Sequence, residues 1–185
     1  QILIDGQDIK DYSQEALRKS IGLVLQEPFL YHGTIASNIR MYHKELTDED
    51  VRQAAAFVDV ADFIESLPGG YDHPVTERGS TLSTGQRQLL AFARTIAAQP
   101  KILILDEATA NIDQETEEMI QNSLKKMRQG RTTIAIAHRL STIQDADCIY
   151  VLDKGKIIES GNHDQLIALG GTYKKMYDLQ AGMMK

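Results

Sequence analysis

The stretch Ile102-Leu103-Ile104-Leu105-Asp106-Glu107 decides the architecture. Four consecutive aliphatic residues with no polar alternation describe a strand covered on both faces, as the strands of a parallel sheet are. The run ends in two adjacent carboxylates, at the edge where open α/β sheets bind their ligands. Neighbouring side chains of an extended chain point to opposite sides. One carboxylate, Asp106, can therefore join the shell of a hard divalent cation while the other, Glu107, polarises a water. Taken alone, such a stretch is more often an ordinary strand running into a polar loop.

Working outward, two more apolar strands follow at Thr132–Ala137 and Cys148–Leu152, separated by helical patterns over Asp113–Met127 and Ser141–Gln144. Strands that are apolar throughout and alternate with helices imply a parallel sheet with both faces covered. Upstream, Gln99-Pro100 ends a helix that starts near Thr84. Before it lies a turn-rich stretch from Pro68 to Ser80, and before that a helical block from Thr34 to about Leu67. There Thr34 caps Ile35–Met41, Thr47 and Asp50 resemble a capping box, and Asp59 caps Val60–Ser66. Ile21–Leu25 reads as a buried strand closed by Gln26-Glu27-Pro28, and Ser13 starts a short helix. Ile2-Leu3-Ile4 runs straight into the Asp5-Gly6 turn, so the chain reads as beginning inside a structure. The last part gives an edge strand at Gly155–Glu159 and amphipathic helices at Asn162–Leu169 and Thr172–Met183.

The 185 residues are enough for one substantial core and few for two ordinary domains. Twenty-six acidic against 20 basic residues give a charge of -6, which argues against a surface built to neutralise a phosphate backbone and so against a nucleic-acid partner. The one cysteine, Cys148, excludes an internal disulfide; its apolar surroundings suggest a buried thiol in a strand and a reducing, cytoplasmic setting. No apolar stretch approaches the roughly 18 residues of a membrane helix.

Three further positions can carry chemistry. Leu82-Ser83-Thr84-Gly85-Gln86 stands at a helix entrance, where free backbone amides and the helix dipole favour an anion, although Ser83 also suits a plain cap. His138 follows the strand Thr132–Ala137 and could hydrogen-bond a terminal phosphate, or be merely structural. Gln26, after another strand, could serve water or a metal shell.

Together these segments resemble the ABC ATPase family over essentially the whole chain. Leu82 to Gln86 looks like its signature, Leu103 to Asp106 like the end of its Walker B strand, and Glu107 like its catalytic glutamate. Ala110-Asn111-Ile112-Asp113 looks like its D-loop, Gln26 like its Q-loop glutamine and His138 like its switch histidine. Gln26-Glu27-Pro28-Phe29-Leu30, Gly33-Thr34-Ile35, Thr76-Glu77-Arg78-Gly79 and His138-Arg139-Leu140-Ser141-Thr142 are similar to the exporter branch. The resemblance implies an α/β fold of the P-loop NTPase kind, a RecA-like parallel sheet core with an inserted α-helical subdomain. Residues 34–98 would form that subdomain, ending in the signature helix, and 99–185 the rest of the core with the C-terminal helices.

It also implies ATP hydrolysis that powers export, with Mg²⁺ as cofactor. Asp106 and Gln26 would serve the metal, and Glu107, His138 and Gln26 the reaction, while Ser83, Thr84, Gly85 and Gln86 would act on the ATP of a second such domain. The D-loop would contribute Asp113. Membrane domains would be the other partners, coupled through the loop after Gln26, and the location would be the cytoplasmic face of a bacterial inner membrane. Thr84 departs from the usual Gly, and Ala110 with Asn111 from the usual Ser and Ala; both variants look like those of exporters that pair two different half-transporters. No Gly-x-x-x-x-Gly-Lys-[Ser/Thr] occurs in the sequence, so the N-terminal strands and phosphate-binding loop would lie upstream of Gln1, and these residues alone would not bind ATP normally. The rival readings are an ABC-type ATPase acting on DNA or ribosomes and a regulatory module that binds nucleotide without hydrolysing it. The first would call for coiled-coil insertions or a basic surface, and neither is present.

Overall fold

The computed structural model describes residues 1–76, 79–106, 114–137 and 139–182, with residues 114 and 115 by backbone alone. It divides into two compact units, Gln1–Ile136 and Ala137–Lys185.

In the first unit, β1 (Leu3–Ile4) and β2 (Gln7–Asp8) pair antiparallel across Asp5 and Gly6. Both turn residues have positive φ, the hairpin geometry that Asp-Gly favours. Helix α1 (Gln14–Ser20), capped by the Ser13 hydroxyl, leads into β3 (Ile21–Val24), which stops one residue short of the expected strand. The helical block begins at a two-residue ladder in which β4 (Gly33–Thr34) pairs with β5 (Pro74–Val75), a small strand pair that the helical pattern concealed. Helix α2 (Ile35–Arg40) takes Thr34 as its cap and α3 (Asp48–Phe57) takes Thr47, each through a reciprocal capping box. Helix α4 (Ala61–Ser66) differs from expectation: Val60, with no side-chain cap, holds the N-cap position. Asp59 is instead a left-handed residue, φ 59°, whose carboxylate accepts from Lys126 Nζ at 2.6 Å.

Helix α5 (Thr84–Ala97) is the spine of the unit, with Leu89, Leu90, Phe92, Ala93, Ile96 and Ala97 all buried. It leads to β6 (Ile102–Asp106), then α6 (Gln114–Arg128) and β7 (Thr132–Ile136). β3, β6 and β7 form a parallel sheet in that order, as the aliphatic runs require. One sheet face carries Val24, Leu103 and Leu105 into the core. Gly22 on that face lets the chain press against α5: a Cβ there would stand 2.7 Å from Thr95 Cγ2 and from Pro100 Cγ.

The opposite face has no cover among the described residues. It carries Leu23, Ile134 and Ile136 at 53%, 58% and 57% exposure. Strand-like aliphatic content reports what a strand is suited to meet and not whether the meeting element is among the described residues.

In the second unit, a short 3₁₀ turn at Leu140–Ile143 precedes β8 (Ile149–Asp153), which pairs antiparallel with β9 (Lys156–Gly161). The expected strand Cys148–Leu152 is thus found as β8, with an antiparallel partner among the described residues. Cys148 precedes β8 and is exposed, contrary to the buried thiol expected from its apolar neighbours. Helices α7 (His163–Leu169) and α8 (Thr172–Gln180) complete a small core of Leu140, Ile149, Val151, Leu166 and Tyr173. Among the described residues no helix is long and apolar enough to cross a membrane.

Candidate functional site

Two places in the first unit hold the described residues among those singled out by sequence: the C-terminal edge of the parallel sheet and the N-terminus of α5. Because β3 and β6 run parallel with Val24 opposite Leu105, Gln26 and Asp106 leave the sheet at the same edge. Asp106 closes β6 opposite Ile136 of β7 and is partly buried, while Gln26 is exposed in the bend after β3. Glu107, Asp113 and His138 lie outside the described residues.

At α5, Ser83 is the N-cap: its hydroxyl accepts from the Gln86 amide at 3.1 Å, and the Gln86 side chain accepts from the Ser83 amide at 2.9 Å. The Ser83 carbonyl takes the Arg87 amide at 3.0 Å. Of the first four helical amides, those of Thr84 and Gly85 thus have no partner among the described residues, which is the arrangement that suits an anion at a helix start. Thr84, the departure from glycine, is not idle. Its hydroxyl accepts from Arg87 Nη2 at 3.1 Å, while Arg87 Nη1 donates to the Leu82 carbonyl at 2.5 Å. The added side chain therefore ties down the turn that presents the amides.

The segment before the signature is held by the same arginine. Gly79 has φ 61°, and a Cβ there would stand 2.8 Å from Leu30 Cδ1 and 3.3 Å from Arg87 Cδ. Residues on either side of the helix entrance, Leu30 and Arg87, thus meet at a position where only glycine fits. Thr76 and Ser80 share a hydroxyl–hydroxyl contact of 3.0 Å across this turn.

Sequence reasoning passed over two polar residues packed in this region, Asn38 and Arg94. Asn38 is 1% exposed, and burial draws the Arg94 guanidinium below its ordinary pKa. The available signal was composition: a charged side chain within a run of α5 that is otherwise almost wholly apolar.

Comparison with known proteins agrees with this geometry. Residues 1–110 match the model of the ABC transporter family. A relative from Streptococcus pneumoniae, named as the ABC transporter ATP-binding protein exp8, is 76% identical over 184 residues, which is 100% of this chain and 31% of that protein. The Bacillus subtilis protein YheH, named as a multidrug resistance ABC transporter ATP-binding/permease protein, is 53% identical over 98% of this chain and 27% of its own length. The solved structure of a bacterial Atm1-family ABC exporter with ATP bound superposes with a TM-score of 0.87 at 45% identity, covering 97% of this chain and 31% of that one. The chain therefore spans less than a third of the length of these relatives. With the parallel sheet, the capped helix α5 and these matches together, the chain belongs to the ABC transporter family, as an ATP-binding domain of the exporter type.

Proposed function

We propose that this domain binds and hydrolyses ATP to power export through membrane domains of a longer polypeptide, from the cytoplasmic face of a bacterial membrane. The observation that carries the reading is the shared C-terminal edge of β3 and β6, which brings the Gln26 segment and Asp106 out together beside a strand made for burial. In this reading Glu107 orients and deprotonates the attacking water, and His138 donates a hydrogen bond to the terminal phosphate.

The donor set fits magnesium. That ion is usually held by one or two protein carboxylates together with substrate phosphates and waters. Asp106 and Gln26 offer a carboxylate and an amide oxygen, and no larger cluster of His, Cys, Asp and Glu occurs among the described residues. When bound, the ion would offset phosphate charge; the protein's own share is to hold water and phosphate in line.

Two such domains would face each other head to tail, with the Thr84 and Gly85 amides, Ser83 and Gln86 turned to the ATP of the partner and Asp113 at the contact between them. The Thr84 and Ala110-Asn111 variants favour a partner of different sequence. Activity of the purified full-length protein as a homodimer would overturn that part. The helical block and residues 76–79 would touch the membrane domains.

Glu107→Gln in the full-length transporter tests the chemistry. ATP binding should remain while turnover falls by at least about a hundredfold, the size of a general-base contribution. Undiminished hydrolysis removes Glu107 from that role.

A further inference from the structure

Helix α5 carries the signature at one end and Arg94 in its other half, about 15 Å along the helix from Thr84 at 1.5 Å per residue. Each nitrogen of the Arg94 guanidinium donates to a segment remote in sequence, α2 and the loop before it. Nε donates to the Asn38 carbonyl at 2.8 Å, Nη1 to the Phe29 carbonyl at 2.8 Å, and Nη2 to Asn38 Oδ1 at 3.0 Å. Asn38 in turn grips the backbone of Tyr31 from both sides, accepting from its amide at 2.8 Å and donating to its carbonyl at 2.8 Å, with a further donation to the Thr34 carbonyl at 3.0 Å. The guanidinium also lies 5.7 Å from the centre of the Tyr31 ring.

These acceptors are neutral oxygens, two on Asn38 of α2 and one in the loop before it, so what the buried charge gains is a geometric tie between that loop and the two helices. A planar fork fixes two or three acceptors at once, which a lysine cannot do. Phe29 and Tyr31, packed edge to face at 4.9 Å, stand exposed on the outer side of the same loop. A rigid helix with phosphate-binding amides at one end and this fork near the other is a lever between two surfaces.

We propose that Arg94, acting through Asn38, is a positioning residue that carries engagement of the α5 N-terminus to residues 28–34 and so to the Phe29–Tyr31 surface. The inference rests on the proposed ATPase reading. It is tested by hydrogen–deuterium exchange on the full-length transporter, with and without ADP and vanadate, comparing peptides over residues 82–90 and 28–34.

In the wild type, trapping should raise protection in both peptides. In Arg94→Lys the gain at 82–90 should persist and the gain at 28–34 should fall by about tenfold in protection factor, the scale of one lost charged hydrogen bond. Asn38→Asp keeps an oxygen toward Arg94 but removes the amide donors to the loop; it should give the same separation and serves if Arg94→Lys does not fold. Loss of stability alone would lower both gains together, and that result, or two undiminished gains, overturns the proposal. A wild type that neither hydrolyses ATP nor traps vanadate overturns the ATPase reading itself; one that does both while the variants keep the two peptides linked overturns only the role of Arg94.

Discussion

Ser123 is fully buried in α6 and gives its hydroxyl to the Val58 carbonyl at 2.9 Å, joining α6 to the turn between α3 and α4. Ser123→Ala would leave that carbonyl enclosed without a partner, and thermal melting should report a loss of about 1–3 kcal/mol. The neighbouring Lys126–Asp59 pair, with both side chains 44% exposed, should contribute under about 1 kcal/mol because solvent screens it. A melting loss for Ser123→Ala no larger than for Lys126→Ala would contradict this ranking. These contacts also mark where the sequence was opaque. Asp59 precedes a helix and has the chemistry of a cap, yet its carboxylate reaches a lysine 67 positions away. Arg94 is the same case, with acceptors 56 and 65 positions distant. Local spacing announces partners within a turn or two of the chain and is silent about those that folding brings from afar.

At the scale of elements the sequence was more legible, because caps and breakers act within a few residues. Thr34, Thr47 and Ser83 cap their helices as expected, and α5 ends immediately before Ala98 and the Gln99-Pro100 breaker. The three strands of the parallel sheet fall within a residue or so of their aliphatic runs. The pairing of β8 was not legible, since an aliphatic run fits a parallel or an antiparallel neighbour equally well.

A local contact that went unread is the start of α8, where the Glu159 carboxylate accepts from the Tyr173 amide at 3.0 Å and from the Thr172 amide. These backbone amides, Tyr173 first, hold the carboxyl below its ordinary value near 4.5. A depressed folded-state value means that the contribution is present above the unfolded value and lost as pH falls through the folded one. The melting temperature of Glu159→Gln should therefore lie below that of the wild type at pH 7, and the gap should close as pH falls below the ordinary carboxyl value and the wild-type carboxyl is protonated. A gap unchanged at acid pH would mean that shape, and not charge, seats the helix. Glycine leaves room for it: a Cβ on Gly171 would fall 2.3 Å from Glu159 Oε1, and the carboxylate would have to move off the helix start.

For the whole molecule, the division at Ile136 implies two cores of unequal depth. Tyr173, fully buried, stands at the centre of the smaller one, with its hydroxyl 2.9 Å from His163 Nδ1 and its ring stacked 6.4 Å from that of Tyr177. Tyr173→Ala removes a large aromatic from a core of few residues and should cost about 3–5 kcal/mol, more than so small a unit can spare. Near-ultraviolet circular dichroism from the tyrosines should then be lost in a separate, earlier step than the far-ultraviolet helix signal, instead of in one coincident transition. A single coincident transition would show that the two cores melt as one. The three-stranded sheet has a different consequence. The outer edge of strand β7 has no neighbour among the described residues, and the strand carries Ile134 and Ile136 exposed on one face of the sheet. Such an edge is a template on which any other extended chain can add itself.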